Sequence, residues 1–209
     1  FLTPYDTPHE TIPFQRIKTA HYEPAMEEGM KRQIAEVEAI IHNPEEPSFS
    51  NTIEALECSG RLLDHVTTVF GNLMNADTND ELEAIAEKMT PKLTEHSNNI
   101  TLNKALFNRI KKVYEQRSNL QLDVEQQMLL EKTYDGFIRS GANLSDEDKQ
   151  TFRKLHTQLS MLTLKFSQNL LKETHRYELP VTLEQLEGVP ENIVESYAQN
   201  AKERGKEGY

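Results

Sequence analysis

Apolar residues recur every three or four positions along most of the chain, the spacing of helices that bury one face. Met26, Met30, Ile34, Val37 and Ile41 form the first such stripe. Pro24 stands near its first turn, where a missing N–H costs little, and Asn43-Pro44 ends it. Asn51 with Glu54 three residues on reads as a capping box for a second helix, whose broad buried side is Ile53, Leu56, Leu63, Val66, Val69, Phe70 and Leu73. Thr78 and Glu81 predict a cap for the third, carried by Leu82, Ile85, Met89 and Leu93. Pro91 falls inside that pattern and predicts a kink or a break. Leu106, Ile110 and Val113 mark a fourth helix; Met128, Leu130, Tyr134, Phe137 and Ile138 mark a fifth, closed near Gly141.

The longest element comes next. Ser145 predicts its cap, Asp146, Glu147 and Asp148 fill its first turn, and Phe152, Leu155, Leu159, Leu162, Phe166 and Leu170 run on to about Thr174. That stripe is expected to be core, with the docking of a partner helix as the lesser reading. Tyr177, Leu179 and Val181 alternate with polar residues, a short strand signal limited by Pro180. Pro190 starts a last helix with Ile193, Val194, Tyr197 and Ala201, ending at Gly205. Residues 1–20, with Pro4, Pro8 and Pro13, read as an extended lead-in that Phe14 and Ile17 pin to a core. The expected fold is an all-α array of about six to seven helices, with a long helix over about 145–174 and a short strand near 177–182. Its divisions are a lead-in (1–20), a helical domain (21–176) and a strand plus helix (177–209). No repeat of 33–45 residues runs through it, which disfavours a solenoid.

Charge narrows the partners. Among 209 residues, 34 acids oppose 23 bases, for a net charge of −11. Residues 1–104 hold 18 acids against 8 bases, and neither half offers the basic stripe that neutralises phosphates. Nucleic acid and anionic membrane surfaces are therefore not expected partners. A single cysteine, Cys58, excludes an intrachain disulfide framework and a multi-thiolate metal site. No apolar run approaches the roughly 18 residues of a transmembrane helix.

A zinc hydrolase needs H-E-x-x-H, two His one turn apart with a Glu between. His9-Glu10 is the sole His-Glu pair, and Pro13 stands where the second His belongs. The other histidines (His21, His42, His65, His96, His156 and His175) offer no pair at helical ligand spacing. Asp77, Asn79 and Glu81 imitate the opening of a calcium loop, but Leu82 holds the obligatory Gly position, so a polar helix start is the better reading. The acids at 146–148 suit a helix N-terminus, and Cys58 has no His placed in sequence as its base. The sequons at Asn99 and Asn143 occur at chance frequency, and a cap at Ser145 explains the second. No G-x-S-x-G, P-loop or G-x-G-x-x-G is present.

Several ordered blocks go further than these patterns. They are Pro13-Phe14 through Ile17 with His21-Tyr22-Glu23-Pro24-Ala25, then Asn51-Thr52-Ile53, then Glu95-His96-Ser97-Asn98-Asn99-Ile100. The strongest runs from Glu131 to Ser145, with Thr133-Tyr134, Gly136-Phe137 and Arg139-Ser140-Gly141-Ala142-Asn143-Leu144, followed by Lys165-Phe166 and Asn169 through Thr174. Together they resemble the thimet oligopeptidase family of zinc metallopeptidases, in its bacterial branch of peptidyl-dipeptidase and oligopeptidase A. The resemblance implies a longer, mostly helical enzyme that cleaves short peptides in a deep, narrow channel. Residues 21–176 then stand as its N-terminal domain, part of the channel wall, and 177–209 lead toward an absent catalytic domain.

In that family two His and a Glu hold zinc, and the motif Glu is the general base on the metal-bound water. No stretch here matches those positions, so no catalytic or metal residue is carried over, and substrate-binding residues stay unassigned. Zinc is expected in the full-length protein and not in these residues. The implied partners are short peptides and the protein's own C-terminal catalytic domain, which would cover an apolar surface of this one. The expected compartment is the cytoplasm, with the periplasm as alternative because the chain opens at Phe1 rather than Met. The competing function is a stand-alone helical interaction or scaffold domain.

Overall fold

A computed structural model describes residues 1–209. Seven helices of more than one turn make up the chain: α1 (Tyr22–Ile41), α3 (Arg61–Ala76), α4 (Asp80–Thr101), α5 (Lys104–Glu115), α6 (Val124–Arg139), α7 (Asp146–Arg176) and α8 (Glu191–Glu203), with a single-turn α2 (Ala55–Glu57). None is long and apolar enough to cross a membrane. The chain divides into two compact units, Phe1–Leu164 and Lys165–Tyr209, and the division falls within α7.

In the first unit, α1 serves two hydrophobic clusters. Tyr22, Ala25 and Met26 from its first half pack with Leu63, Val66, Val69 and Phe70 of α3 and Leu82, Ala86 and Met89 of α4. Val37 and Ile40 from its second half pack with Ile53, Ile100, Leu106, Phe107, Ile110, Val113, Leu130 and Phe137. Gly29 lies between the two halves, buried against α3, where a Cβ would stand 2.9 Å from Leu63 Cα. No side chain fits there without moving one backbone.

The lead-in makes three 3₁₀ turns, at Pro8–Glu10, Phe14–Arg16 and Thr19–His21. Phe1, Ile12 and Ile17 pack against the first cluster, whereas Phe14 is 53% exposed and pins nothing. The second predicted helix is divided. Its first part is a π-helical turn at Phe49–Glu54, capped three residues upstream of the expected box: Ser48 Oγ accepts from Asn51 N–H, and Asn51 Oδ1 accepts from Ser48 N–H. Glu54 accepts a hydrogen bond from Ser50 instead. Helical structure then stops after Glu57, and the chain turns through Gly60, whose φ of +75° is left-handed. Its N–H donates to the Glu36 carboxylate at 2.7 Å, and Gln33 fills the space that a side chain would need. The break is held from outside, by α1.

Helix α4 continues through Pro91 without a break. Buried residues on both sides, Met89 before and Thr94 after, fix the helix where the proline removes one hydrogen bond. Its cap is Asn79, which accepts from Leu82 N–H, rather than Thr78. Helix α6 closes as predicted: Gly141 N–H reaches Ile138 O and Ala142 N–H reaches Phe137 O, both at 3.0 Å, with Gly141 at φ +87°. Ser145 caps α7 by accepting from Asp148 N–H at 3.1 Å.

The expected core stripe of α7 is overturned. Leu155, Leu159 and Leu162 are 60%, 61% and 64% exposed, and Phe166 and Leu170 beyond them are exposed too. In the second unit, the expected strand near 177–182 is absent. Pro180 lacks a donor, Tyr177 and Leu179 are exposed, and no neighbouring strand is there to pair with. Instead Glu178 pairs with Lys206 and Arg204, and Val181 N–H meets Tyr209 O, which fastens this segment to the end of the chain after α8.

Gly29→Ala and Gly60→Ala are each expected to destabilise by about 1–3 kcal/mol through overpacking and backbone strain. Ser145→Ala is expected to cost about 1 kcal/mol. Leu106→Ala should cost about 2–5 kcal/mol, whereas Leu159→Ala should fall within about 0.5 kcal/mol of the parent. Urea midpoints at constant slope measure all five, and an equal loss for the two leucines would contradict the burial pattern.

Candidate functional site

Helix α7 meets the first unit chiefly through polar side chains facing α4, with Leu164 as its apolar contribution to the first cluster. The Thr94 and Ser160 hydroxyls lie 2.9 Å apart, His156 Nδ1–H donates to Asn98 Oδ1 at 2.8 Å, Arg153 donates to Asn99 Oδ1 at 2.7 Å, and Lys149 donates to Leu102 O at 3.0 Å. The register is antiparallel: as α4 advances from 94 to 102, its partners on α7 descend from 160 to 149. Thr94, Asn98 and Lys149 are buried, Arg153, His156 and Ser160 are half-buried, and Asn99 is exposed, so the seam grades from a dry side to a wet one. At 100° per residue the exposed stripe Leu155, Leu159 and Leu162 lies about 120° around the helix from the seam. Helix α7 therefore turns its hydrogen-bonding face inward and its apolar face outward.

A second polar group lies on the opposite flank of α4. His96, only 8% exposed, donates from Nε2 to Gln33 Oε1 of α1 at 2.6 Å. The pair lines an open cleft of about 520 Å³, together with Gly60, Asp64, Thr67 and Ser97. Burial holds the His96 imidazole below its ordinary range, because the charged form loses its hydration there.

The predicted candidates scatter. His42 contacts Glu38, His65 contacts Tyr5, His96 contacts Gln33 and His156 contacts Asn98, so the histidines do not converge. No group of three or more His, Cys, Asp or Glu side chains is placed to hold a metal ion. Asp77 and Asn79 lie at the junction of α3 and α4, where Asn79 caps. Cys58 is exposed, and its nearest polar neighbour is Arg61, at 3.6 Å from Sγ. Asn99 is engaged by Arg153. Sequence reasoning passed over the seam. Its signal was present, since Lys149, Arg153, His156 and Ser160 recur with the same period as the leucines, but a polar stripe reads as solvated surface by default.

The description Neurolysin/Thimet oligopeptidase, N-terminal domain, belongs to the family model that matches residues 25–149. Dipeptidyl carboxypeptidase of Escherichia coli (strain K12) is 41% identical over 203 residues, covering 97% of this chain and 29% of that protein. Dipeptidyl carboxypeptidase of Salmonella typhimurium is 39% identical over 207 residues, covering 99% of this chain and 30% of its own length. Oligopeptidase A of Haemophilus influenzae is 26% identical over 198 residues, 94% of this chain and 29% of that protein. The chain thus spans about three tenths of the length of these curated relatives.

The depressed His96 fixes a pH dependence. Its unfolded form titrates near pH 6.5 and its folded form lower, so the unfolded state binds the proton first. The stability it contributes is complete above that unfolded value and is lost as pH falls from about 6.5 toward the folded value. The urea midpoint should therefore drop between pH 7.5 and 5.5 by more in the parent than in His96→Gln. Identical pH profiles for the two would refute this placement of His96.

Proposed function

From the premise that this chain belongs to the neurolysin/thimet oligopeptidase family, through its N-terminal domain, we propose that it forms part of the wall of a peptide channel. The enzyme of this reading is a zinc-dependent oligopeptidase or peptidyl-dipeptidase that hydrolyses short peptides. One observation carries it: the matched stretch, 25–149, contains the whole of α3–α6, almost all of α1 and the first turn of α7. The resemblance therefore covers a complete packed body rather than a motif set in unrelated structure.

A wall acts by geometry. Helices braced by two cores keep their spacing, admit an unfolded peptide and turn a folded protein away. They also place contacts far from the reacting bond, where binding energy orients the substrate. Zinc belongs to this reading through the family, but the residues present do not fit it, since their histidines are separately engaged and no ligand group assembles. No step of hydrolysis is assigned to them. The metal and its general base belong to the protein's catalytic region, outside residues 1–209. The cytoplasm is the compartment this reading assigns, and an exposed free thiol at Cys58 suits its reducing conditions.

Quenched fluorescent peptides test the proposal. The 209-residue chain is expected to show no turnover. The polypeptide encoded by the complete reading frame should cleave them and lose that activity to a chelator. Chelator-insensitive turnover by the purified 209-residue chain would overturn the reading, as would a complete reading frame without H-E-x-x-H.

A further inference from the structure

Helices α3 and α4 form a hairpin joined at residues 77–79. Near the joint the first cluster fills it, with Val69 and Phe70 of α3 and Leu82 and Ala86 of α4. At the far end the two helices line the cleft of about 520 Å³ instead, α3 with Asp64 and Thr67 and α4 with His96, Ser97 and Thr101. Leu63, Leu93 and Ile100 make up its apolar share.

The polar atoms of this cleft are mostly acceptors. His96 commits Nε2–H to Gln33 Oε1, which leaves Nδ1 as an unshared lone pair. The side-chain atoms sealed inside the protein without a partner are Tyr22 Oη and Arg109 Nε, so Nδ1, which also lacks one, is open to the cleft. Burial keeps the ring neutral, the form that accepts. The Ser59, Thr67 and Thr101 hydroxyls donate to Leu56 O, Leu63 O and Ser97 O, so each has only lone pairs left to offer. Asp64 adds an exposed carboxylate. No Lys or Arg lines the cleft, and Arg61, one turn before Asp64, reaches toward Cys58. Among the lining side chains only the Gln33 amide and the Ser97 hydroxyl remain able to donate. Lone pairs and a negative charge beside apolar surface, on a chain of net charge −11, complement an organic cation.

We propose that this cleft is a binding site for a primary ammonium group on a short apolar stem, with the Asp64 carboxylate supplying the opposite charge and His96 Nδ1 accepting one N–H. The site stands apart from the peptidase reading and does not need it. A free amine and the amino terminus of a short peptide both carry the required group.

Imidazole nitrogen spectra of the ¹⁵N-labelled 209-residue chain test the site, with the His96 signals identified by their loss in His96→Gln. Nδ1 should appear as the unprotonated nitrogen. Butylammonium, butanol and butyrate share one stem and differ in charge. Butylammonium should move the Nδ1 signal to saturation, while butanol and butyrate should leave it in place. Asp64→Asn should weaken butylammonium binding about two- to fivefold, the range for one part-exposed ion pair. Glu131→Gln removes the same charge from an exposed position on α6 and should leave binding unchanged. Thermal melts of these two surface variants should match the parent.

A protonated Nδ1 in the free chain would overturn the proposal, as would an Nδ1 signal that ignores butylammonium. So would an equal response to butanol or butyrate, or an equal loss in the two variants. Leucylglycinamide and its N-acetyl form separate the two sources. Tighter binding of the free peptide than of butylammonium, lost on acetylation, assigns the site to peptide amino termini; binding no tighter than butylammonium assigns it to free amines. An acetylated peptide that binds as well as the free one removes the ammonium assignment.

Discussion

The contact between α1 and α3 at Gly29 governs the rest of the domain. A side chain there would stand 2.9 Å from Leu63 Cα, so the two helices lie closer than any other residue at position 29 permits. Because α1 also carries Gln33, Glu36, Val37 and Ile40, its placement fixes the break at Gly60, the polar pair with His96 and the second hydrophobic cluster. One absent Cβ thus sets the distance from which both cores are built. The chain uses a long helix as a shared strut, with apolar residues committed to different neighbours at its two ends.

Much of this was legible from periodicity because α1, α4, α5 and α6 bury their faces against each other in the ordinary way. The cap at Ser145 and the closure at Gly141 follow from local chemistry that needs no tertiary knowledge. The misses share one cause: something distant in sequence overrode the local signal. Gly60 divides a continuous apolar pattern because Glu36 and Gln33 stabilise the left-handed turn from another helix. Pro91 fails to break α4 because the burial around it outweighs one lost hydrogen bond. The segment at 177–182 alternates as a strand does, but alternation without a partner strand leaves its backbone unpaired.

On helix α7 the spacing of the leucines predicts a face, but that face points away from the first unit's cores. Periodicity defines a face; it does not say what the face meets. On α7 the inward face is the polar one, and nothing in a single sequence distinguishes a hydrogen-bonded stripe from a solvated one. The chemistry of the candidate site was hidden for a related reason. His96 and His156 are ordinary residues by spacing, and only folding brings each against a carboxamide on another helix.

The seam has a consequence for the order in which the domain comes apart. Its four hydrogen bonds contribute on the order of 1 kcal/mol each net of water, while an apolar helix interface gains from every buried methylene. Helix α7 adds only Leu164 to the first cluster and nothing to the second, so the cores of the α1–α6 body are built almost wholly without it and can persist when α7 lifts away. Amide exchange through such sub-global opening runs ahead of exchange through complete unfolding. The domain is thus divided into a rigid frame and a releasable lever, at a boundary drawn by the chemical character of a single row of side chains.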